Sequence, residues 1–176
     1  MENSKKHGKY SKFFLMIIAS MVVMYALSYA NSWEIFGHAW FSETRLFMVI
    51  MMGGSMAIIM LTFMLGMYPN AKVNAAIYAG SVLLIATALT LVRTQQTVDD
   101  VDFMEGMIPH HSIAILTSTR AKIEDRRVRE LADEIISAQK REIQEMEWLI
   151  NDIGANGVAV DPKQADVRPV PEFSGN

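Results

Sequence analysis

Three stretches of the chain, 13–33, 46–71 and 73–92, contain no Asp, Glu, Lys or Arg, whereas charges recur throughout the chain from residue 93 onward. Each stretch reaches the ~20 apolar residues that a helix needs to cross a ~30 Å hydrocarbon layer. A single crossing segment is helical, because lipid leaves open backbone groups unsatisfied. The pattern predicts three transmembrane helices near 13–30, 46–67 and 73–92, forming a membrane domain over 1–92. An alternative for the first is a cleaved leader, read from its basic start, apolar run and Ser28-Tyr29-Ala30; the aromatic residues ending the span favour retention.

Beyond the spans the pattern changes to a helical period. Positions 104, 107, 108, 111 and 115 are apolar or imidazole-bearing and share one face. Val128, Leu131, Ala132, Ile135, Gln139, Ile143, Met146 and Leu149 define a second face, out of phase with the first. Glu124–Arg127 is polar throughout, so the turn falls there, with Asp125 as cap of the second helix. Asp102 with Glu105 three residues on has the spacing of a capping box. The expectation is a helical hairpin, roughly 102–123 and 126–150, within a module over 93–150. A helix continuing unbroken from the third span is the alternative. After Asn151, three prolines and three glycines with few large apolar residues predict a disordered tail over 151–176. Two helices alone bury too little, which predicts a homodimer pairing into a four-helix bundle. The fold class is all-α.

Charge sets the topology. The first 92 residues carry six Lys/Arg against three Asp/Glu, and the remainder ten against sixteen. Lys5, Lys6, Lys9 and Lys12 precede the first span and Lys72 lies between the second and third, which places the N-terminus in the cytoplasm. Residues after Arg93 are then extracytoplasmic, and the chain is a multi-pass protein of the cytoplasmic (inner) membrane with the lipid bilayer as its partner. The acidic half argues against a nucleic-acid partner. With no cysteine, disulfides and thiolate metal sites are excluded.

The chemistry concentrates in F-M-E-G-M-I-P-H-H-S-I-A-I, Phe103 to Ile115. Met104, Met107 and His111 share a face, and His110 points about 100° away from His111. A hairpin turning near 124–125 sets His110 and His111 opposite Ala138 and Gln139, Met107 opposite Glu142, and Met104 opposite Glu145 and Met146. Pro109 costs ~3 kcal/mol or more inside a helix, so the helix kinks there, eased by Gly106, or restarts at Pro109 with both histidines in its first turn. Thioethers select Cu(I) among metals, with imidazole as a borderline nitrogen donor. Zinc wants cysteines or more His and carboxylates, and no Glu-x-x-His, His-Glu-x-x-His, phosphate loop or nucleophile elbow is present. No enzyme activity is expected. On the residues alone, an amphipathic helix whose methionines simply pack remains open beside the soft-metal reading. So does flexible apolar filler for Met48, Met51, Met52, Met56, Met60, Met64 and Met67 of the second span, with Gly53, Gly54 and Ser55 admitting close neighbours. His38, between Trp33 and Trp40, reads as an interfacial residue rather than a ligand.

The segments M-I-P-H-H-S, A-I at 114–115, L-A-D-E-I-I at 131–136 and Q-K-R-E-I-Q-E-M-E-W-L at 139–149 together resemble the domain-of-unknown-function family 305, across the whole hairpin. S-E-T-R at 42–45, the methionine ladder and M-Y-P-N at 67–70 are similar to its three-span, membrane-anchored variant. The resemblance implies a ferritin-like helical module that binds copper outside the cytoplasm, with Met107, His110, His111 and Met146 as ligands and Met104 as an added candidate. It implies Cu(I) as the cargo, a role in copper homeostasis or resistance, and a copper donor or acceptor protein as a further partner. Relatives often carry methionine where Thr117 stands here, and the three-span variant often has cysteine at Ser118. The site implied is therefore smaller. The alternative is a metal-free dimerisation or interaction module on a membrane anchor.

Overall fold

The computed structural model describes residues 2–175, with side chains from Gly8 onward; the charges of Lys5 and Lys6 lie outside the described side chains. Among the described residues the regular structure is helical throughout: α1 (Glu2–Leu27), α2 (Glu43–Phe63), a 3-10 turn (Leu65–Met67), α3 (Ala71–Thr94), α4 (Asp100–Arg120), α5 (Arg126–Asn156) and α6 (Pro162–Asp166). The chain divides into two units. One holds residues 1–28 and 43–97; the other holds 29–42 and 98–176.

In the first unit, Gly8–Leu27, Glu43–Phe63 and Ala71–Thr94 are long and apolar enough to cross a membrane. The limits differ from expectation by a few residues, because Glu43 joins the first turn of α2 and because α2 tightens into 3-10 geometry at Leu65. Asn70 caps α3, accepting from the Lys72 and Val73 N–H groups at 3.1 and 3.2 Å. α2 packs against both α1 and α3, around Phe13, Ile17, Ala57, Leu61, Tyr68 and Ile77, with Met21, Met56, Met60 and Met64 filling the margins. Buried Asn74 is satisfied within this apolar setting: its amide donates to the Tyr68 carbonyl, and its oxygen accepts from Tyr10 Oη, both at 2.8 Å.

Gly53 and Gly54 do what their place among large residues suggests. A Cβ on Gly53 would collide with Met21, and one on Gly54 would lie 2.9 Å from Ile85 Cγ1 and 3.2 Å from the Ser81 carbonyl. Ser55 has a different job, since its hydroxyl donates to the Met51 carbonyl at 3.0 Å. Gly54→Leu is expected to lower the stability of the detergent-purified chain by roughly 1–3 kcal/mol, the usual cost of overpacking. An unshifted thermal midpoint would contradict this α2–α3 contact.

The second unit contains the hairpin. α3 stops at Thr94, with Gln95 in the left-handed region at φ 52°, so no helix runs unbroken into α4. The cap of α4 is Asp99, not Asp102: its side chain accepts from Val101 and Asp102 N–H, and Asp102 returns a bond to the Asp99 N–H. The capping box is therefore one turn earlier than the Asp102–Glu105 spacing suggested, because three further residues toward the N-terminus continue the helix. α4 is continuous through Pro109, which is buried. A restart at Pro109 does not occur, and neither histidine lies in a first turn.

Asp125 caps α5 as expected, accepting from the Arg127 N–H at 2.9 Å, while its carboxylate also meets the Arg127 guanidinium at 2.7 Å. These bonds, side chain first, hold the Asp125 carboxyl below the ordinary aspartate range. A depressed folded value means a stabilising contribution that is present above the unfolded range and lost as pH falls through the folded value. Asp125→Asn should therefore melt slightly below the parent at neutral pH and together with it in acid. A gap that persisted at acid pH would show that the charge is not the source.

The second helix outruns its expected end at 150 by six residues, reaching Asn156. The tail is not structureless. Asp161 caps α6, and Arg168 reaches Asp152 at 2.6 Å and the Gly157 carbonyl at 3.2 Å. Gly175, at φ 67°, lies so near Ser137 that a Cβ there would strike the Ser137 carbonyl. Composition missed this because one arginine pair and a close backbone approach, rather than apolar area, fix the segment.

Candidate functional site

α4 and α5 enclose a cluster of Met104, Ile108, Ile115, Ile143 and Met146, with Met107 and Trp40 packed against it. The apolar stripe of α4 behaves as its period requires: Met104, Ile108, His111, Ser112 and Ile115 are all buried. On α5 the stripe holds at Ala132, Ile143 and Met146, but Val128 and Leu131 are exposed.

His111 joins the cluster with both ring nitrogens engaged. Nδ1 lies 2.9 Å from the Met107 carbonyl and Nε2 lies 2.8 Å from Glu142 Oε2. A carbonyl and a carboxylate are both acceptors, so a doubly protonated ring satisfies both contacts. A singly protonated ring does so only when Glu142 carries the second proton. Gln139 Nε2 donates to the same Glu142 oxygen at 3.3 Å. The backbone register alone would set Glu142 opposite Met107. Side chains on a helix lean toward its N-terminus, so in an antiparallel pair His111 leans toward the level of Met107 while Glu142 leans back toward His111, and the two meet.

Of the five residues singled out in the sequence, four come together: Met104, Met107, His111 and Met146. His110 does not. It is exposed, its ring 6.0 Å from that of His111 in an edge-on arrangement, as the 100° step between neighbours dictates. Thr117 is exposed too, its hydroxyl donating to the Ile113 carbonyl at 3.0 Å. Glu105, in the same helix, has its carboxyl pushed up by burial first, then by Asp102 and Asp99.

Three residues that the sequence left outside the site, Ser112, His38 and Ser42, lie buried beside the hairpin. Ser112 is wholly buried, and its hydroxyl accepts from the Trp33 N–H at 2.7 Å and pairs with His38 Nδ1 at 2.8 Å. His38 is thus buried in this unit rather than being a surface residue at the interface, because Ser112 offers it a partner. Ser42 is buried as well, its hydroxyl near Gly106, where a Cβ would come within 3.2 Å of it. The 29–42 segment therefore covers part of the apolar face for which a hairpin alone has no partner. The available signal was a small polar residue, Ser112, set in the apolar face beside His111. Its partner lies 74 positions away, beyond the reach of local pattern.

The donors suit a soft metal better than a hard one. Among the described residues no group of three or more His, Asp or Glu could hold an ion. Met104, Met107 and Met146 would offer three thioether sulfurs, and His111 would offer a nitrogen once Nε2 is released from Glu142. The donor set fits Cu(I).

Residues 90–171 match the family model described as Domain of unknown function (DUF305). Uncharacterized protein L153 of Acanthamoeba polyphaga mimivirus is 34% identical over 145 residues, which cover 81% of this chain and 93% of the relative. That alignment is longer than the stretch the family model matches, so the likeness extends into the membrane half. No solved structure gives a significant match. On a family model spanning the hairpin and a relative aligned over most of both lengths, the chain belongs to the DUF305 family.

Proposed function

We propose that this is a membrane-anchored, extracytoplasmic Cu(I)-binding protein that buffers copper or passes it to a partner protein. The observation that carries the reading is the convergence of Met104, Met107 and Met146 with His111 in one cluster between α4 and α5. Thioethers bind Cu(I) without a proton to lose, and their buried setting keeps competing water away. His111 is the nitrogen donor, and Glu142 holds the ring in place until the ion arrives. His110, exposed at the cluster's edge, is suited to meeting incoming or departing copper.

The topology is part of the proposal: Lys9, Lys12 and Lys72 mark the cytoplasmic side, which leaves the hairpin outside. A homodimer that completes a four-helix bundle is likewise proposed, since Val128 and Leu131 leave apolar surface uncovered on α5. A second reading, a metal-free interaction module, has one observation in its favour. His111 already has a partner at each nitrogen and Met104 and Met146 already pack, so the cluster is complete without an ion.

Titration of the full chain in detergent with Cu(I), under reducing conditions and against a chromophoric chelator, separates the two. The copper reading expects saturable uptake that raises the thermal midpoint, because a ligand of the folded state alone stabilises it. A chain that takes no copper from the chelator, and melts unchanged, leaves the interaction module standing.

A further inference from the structure

A cleft of about 350 Å³ lies between the 29–42 segment and the hairpin, wholly within the second unit. That is the lower end of the size range of small-molecule sites. It shares Ile115 and Ile143 with the methionine cluster but none of the candidate copper ligands. One wall is a stripe of α5, where Lys140, Gln144 and Glu147 follow one another at four- and three-residue steps and so share a face. The other wall is the segment 33–38. There Gly37 leaves room for the Glu34 carboxylate, since a Cβ would stand 2.8 Å from its Oε2.

The lining holds polar groups that the chain itself leaves unused. Glu34, Lys140 and Glu147 form no side-chain hydrogen bond or ion pair among the described residues. The Gln144 amide oxygen is buried and has no partner among them, and such an acceptor in a cleft calls for a donor from outside the chain. His38 offers the opposite polarity. Ser112 Oγ accepts from the Trp33 N–H, so its own hydrogen is free to point at His38 Nδ1. That makes Nδ1 the acceptor and leaves the ring's hydrogen on Nε2, which has no partner among the described residues.

We propose that this cleft binds a small zwitterion, in which a primary ammonium lies a few atoms from a carboxylate or phosphate. Complementarity selects that class. Glu34, Glu147 and the Gln144 oxygen are acceptors and suit the three N–H donors of an ammonium. Lys140 and the His38 Nε2–H are donors and suit an anionic group, with charge assisting the first. A simple amine would leave Lys140 unpaired and repelled, and a simple anion would do the same to the two carboxylates. Ile115, Ile143 and the Trp33 ring add a limited apolar wall for the rest of the molecule. A free α-amino acid meets this description, and so does the ethanolamine phosphate end of a phospholipid.

The full chain in a maltoside detergent, which brings no zwitterionic headgroup, is melted in metal-free buffer with leucine, leucinamide, N-acetylleucine or phosphoethanolamine. Leucinamide lacks the carboxylate, and N-acetylleucine lacks the ammonium. Leucine, phosphoethanolamine or both are expected to raise the thermal midpoint, as a ligand of the folded state does. Each should bind roughly ten-fold or more tighter than the single-charge analogues, because hydrogen bonds to charged groups are the stronger ones. A response to leucine alone identifies a free amino acid, and one to phosphoethanolamine alone a lipid headgroup. Lys140→Gln and Glu34→Gln lie at positions that are half-buried and exposed. Both should melt with the parent when no ligand is present, and each should lose roughly ten-fold in affinity. A parent whose midpoint ignores all four compounds overturns the proposal. Either single-charge analogue binding as tightly as leucine and phosphoethanolamine overturns the zwitterion. Undiminished binding in both variants places the ligand elsewhere and overturns the cleft.

Discussion

Replacing Met104, Met107 and Met146 together with leucine is expected to lower Cu(I) affinity by ~100-fold or more, since even groups that only orient a ligand are typically worth 10–100-fold. The fold should survive, because swaps of similar volume usually cost less than ~1.5 kcal/mol each and all three side chains pack in the α4–α5 cluster. His111→Gln should weaken binding too, while keeping a hydrogen-bond donor for the Met107 carbonyl or Glu142. His110→Ala should change affinity little, because that ring is exposed and outside the cluster. Each variant is read by competition against the same chelator and by melting with and without the ion. A saturating ligand at 100 times its dissociation constant adds ~2.7 kcal/mol to apparent stability, which the parent should show and the triple variant should lack. A reversed order, with His110 indispensable and the methionines silent, would move the site to the surface of α4 and overturn the buried assignment.

Ser112→Ala is expected to be the most damaging single change outside that cluster. The hydroxyl is completely buried and serves two groups, Trp33 N–H and His38 Nδ1. The Trp33 N–H keeps a second acceptor in the Ser112 carbonyl at 3.3 Å, so the larger loss falls on His38, left buried with that nitrogen unpaired. Stranding such a group costs about 1–3 kcal/mol. The loss should appear as a lower melting point of the full chain and as faster backbone exchange over 29–42, with α1 to α3 unchanged. Equal protection of the loop in variant and parent would show that His38 and Ser112 do not hold it.

The helices were legible in the sequence because their signals are local. Spans without charge announced α1, α2 and α3, and a change of phase in the apolar stripe placed the turn before Arg126. Asp125 as a cap followed from its place ahead of that stripe. Where local rules compete, they gave the wrong residue: Asp99 and Asp102 are both acceptable caps, and only the coordinates of the first turn distinguish them. The methionines and His111 were legible as a shared face on α4. Glu142 was placed one turn from its true partner, because residue spacing gives the levels of two helices but not the lean of their side chains. The contribution of His38 was out of reach of any periodicity, since its partner belongs to a helix that follows two intervening spans. The tail was misread for a related reason: its order depends on Arg168 meeting Asp152, a pairing to which composition is blind.

The unit that carries the methionines is discontinuous in the chain, and this orders its assembly in time. Residues 29–42 leave the ribosome early, with α2 and α3 still to be made before Ser112 exists. Until then His38 and the buried hydroxyl of Ser42 have no hairpin to pack against. Contacts of such long sequence separation form late. Closure of this unit is therefore reached only when α2 and α3 have been made and α4 has been added to the 29–42 segment.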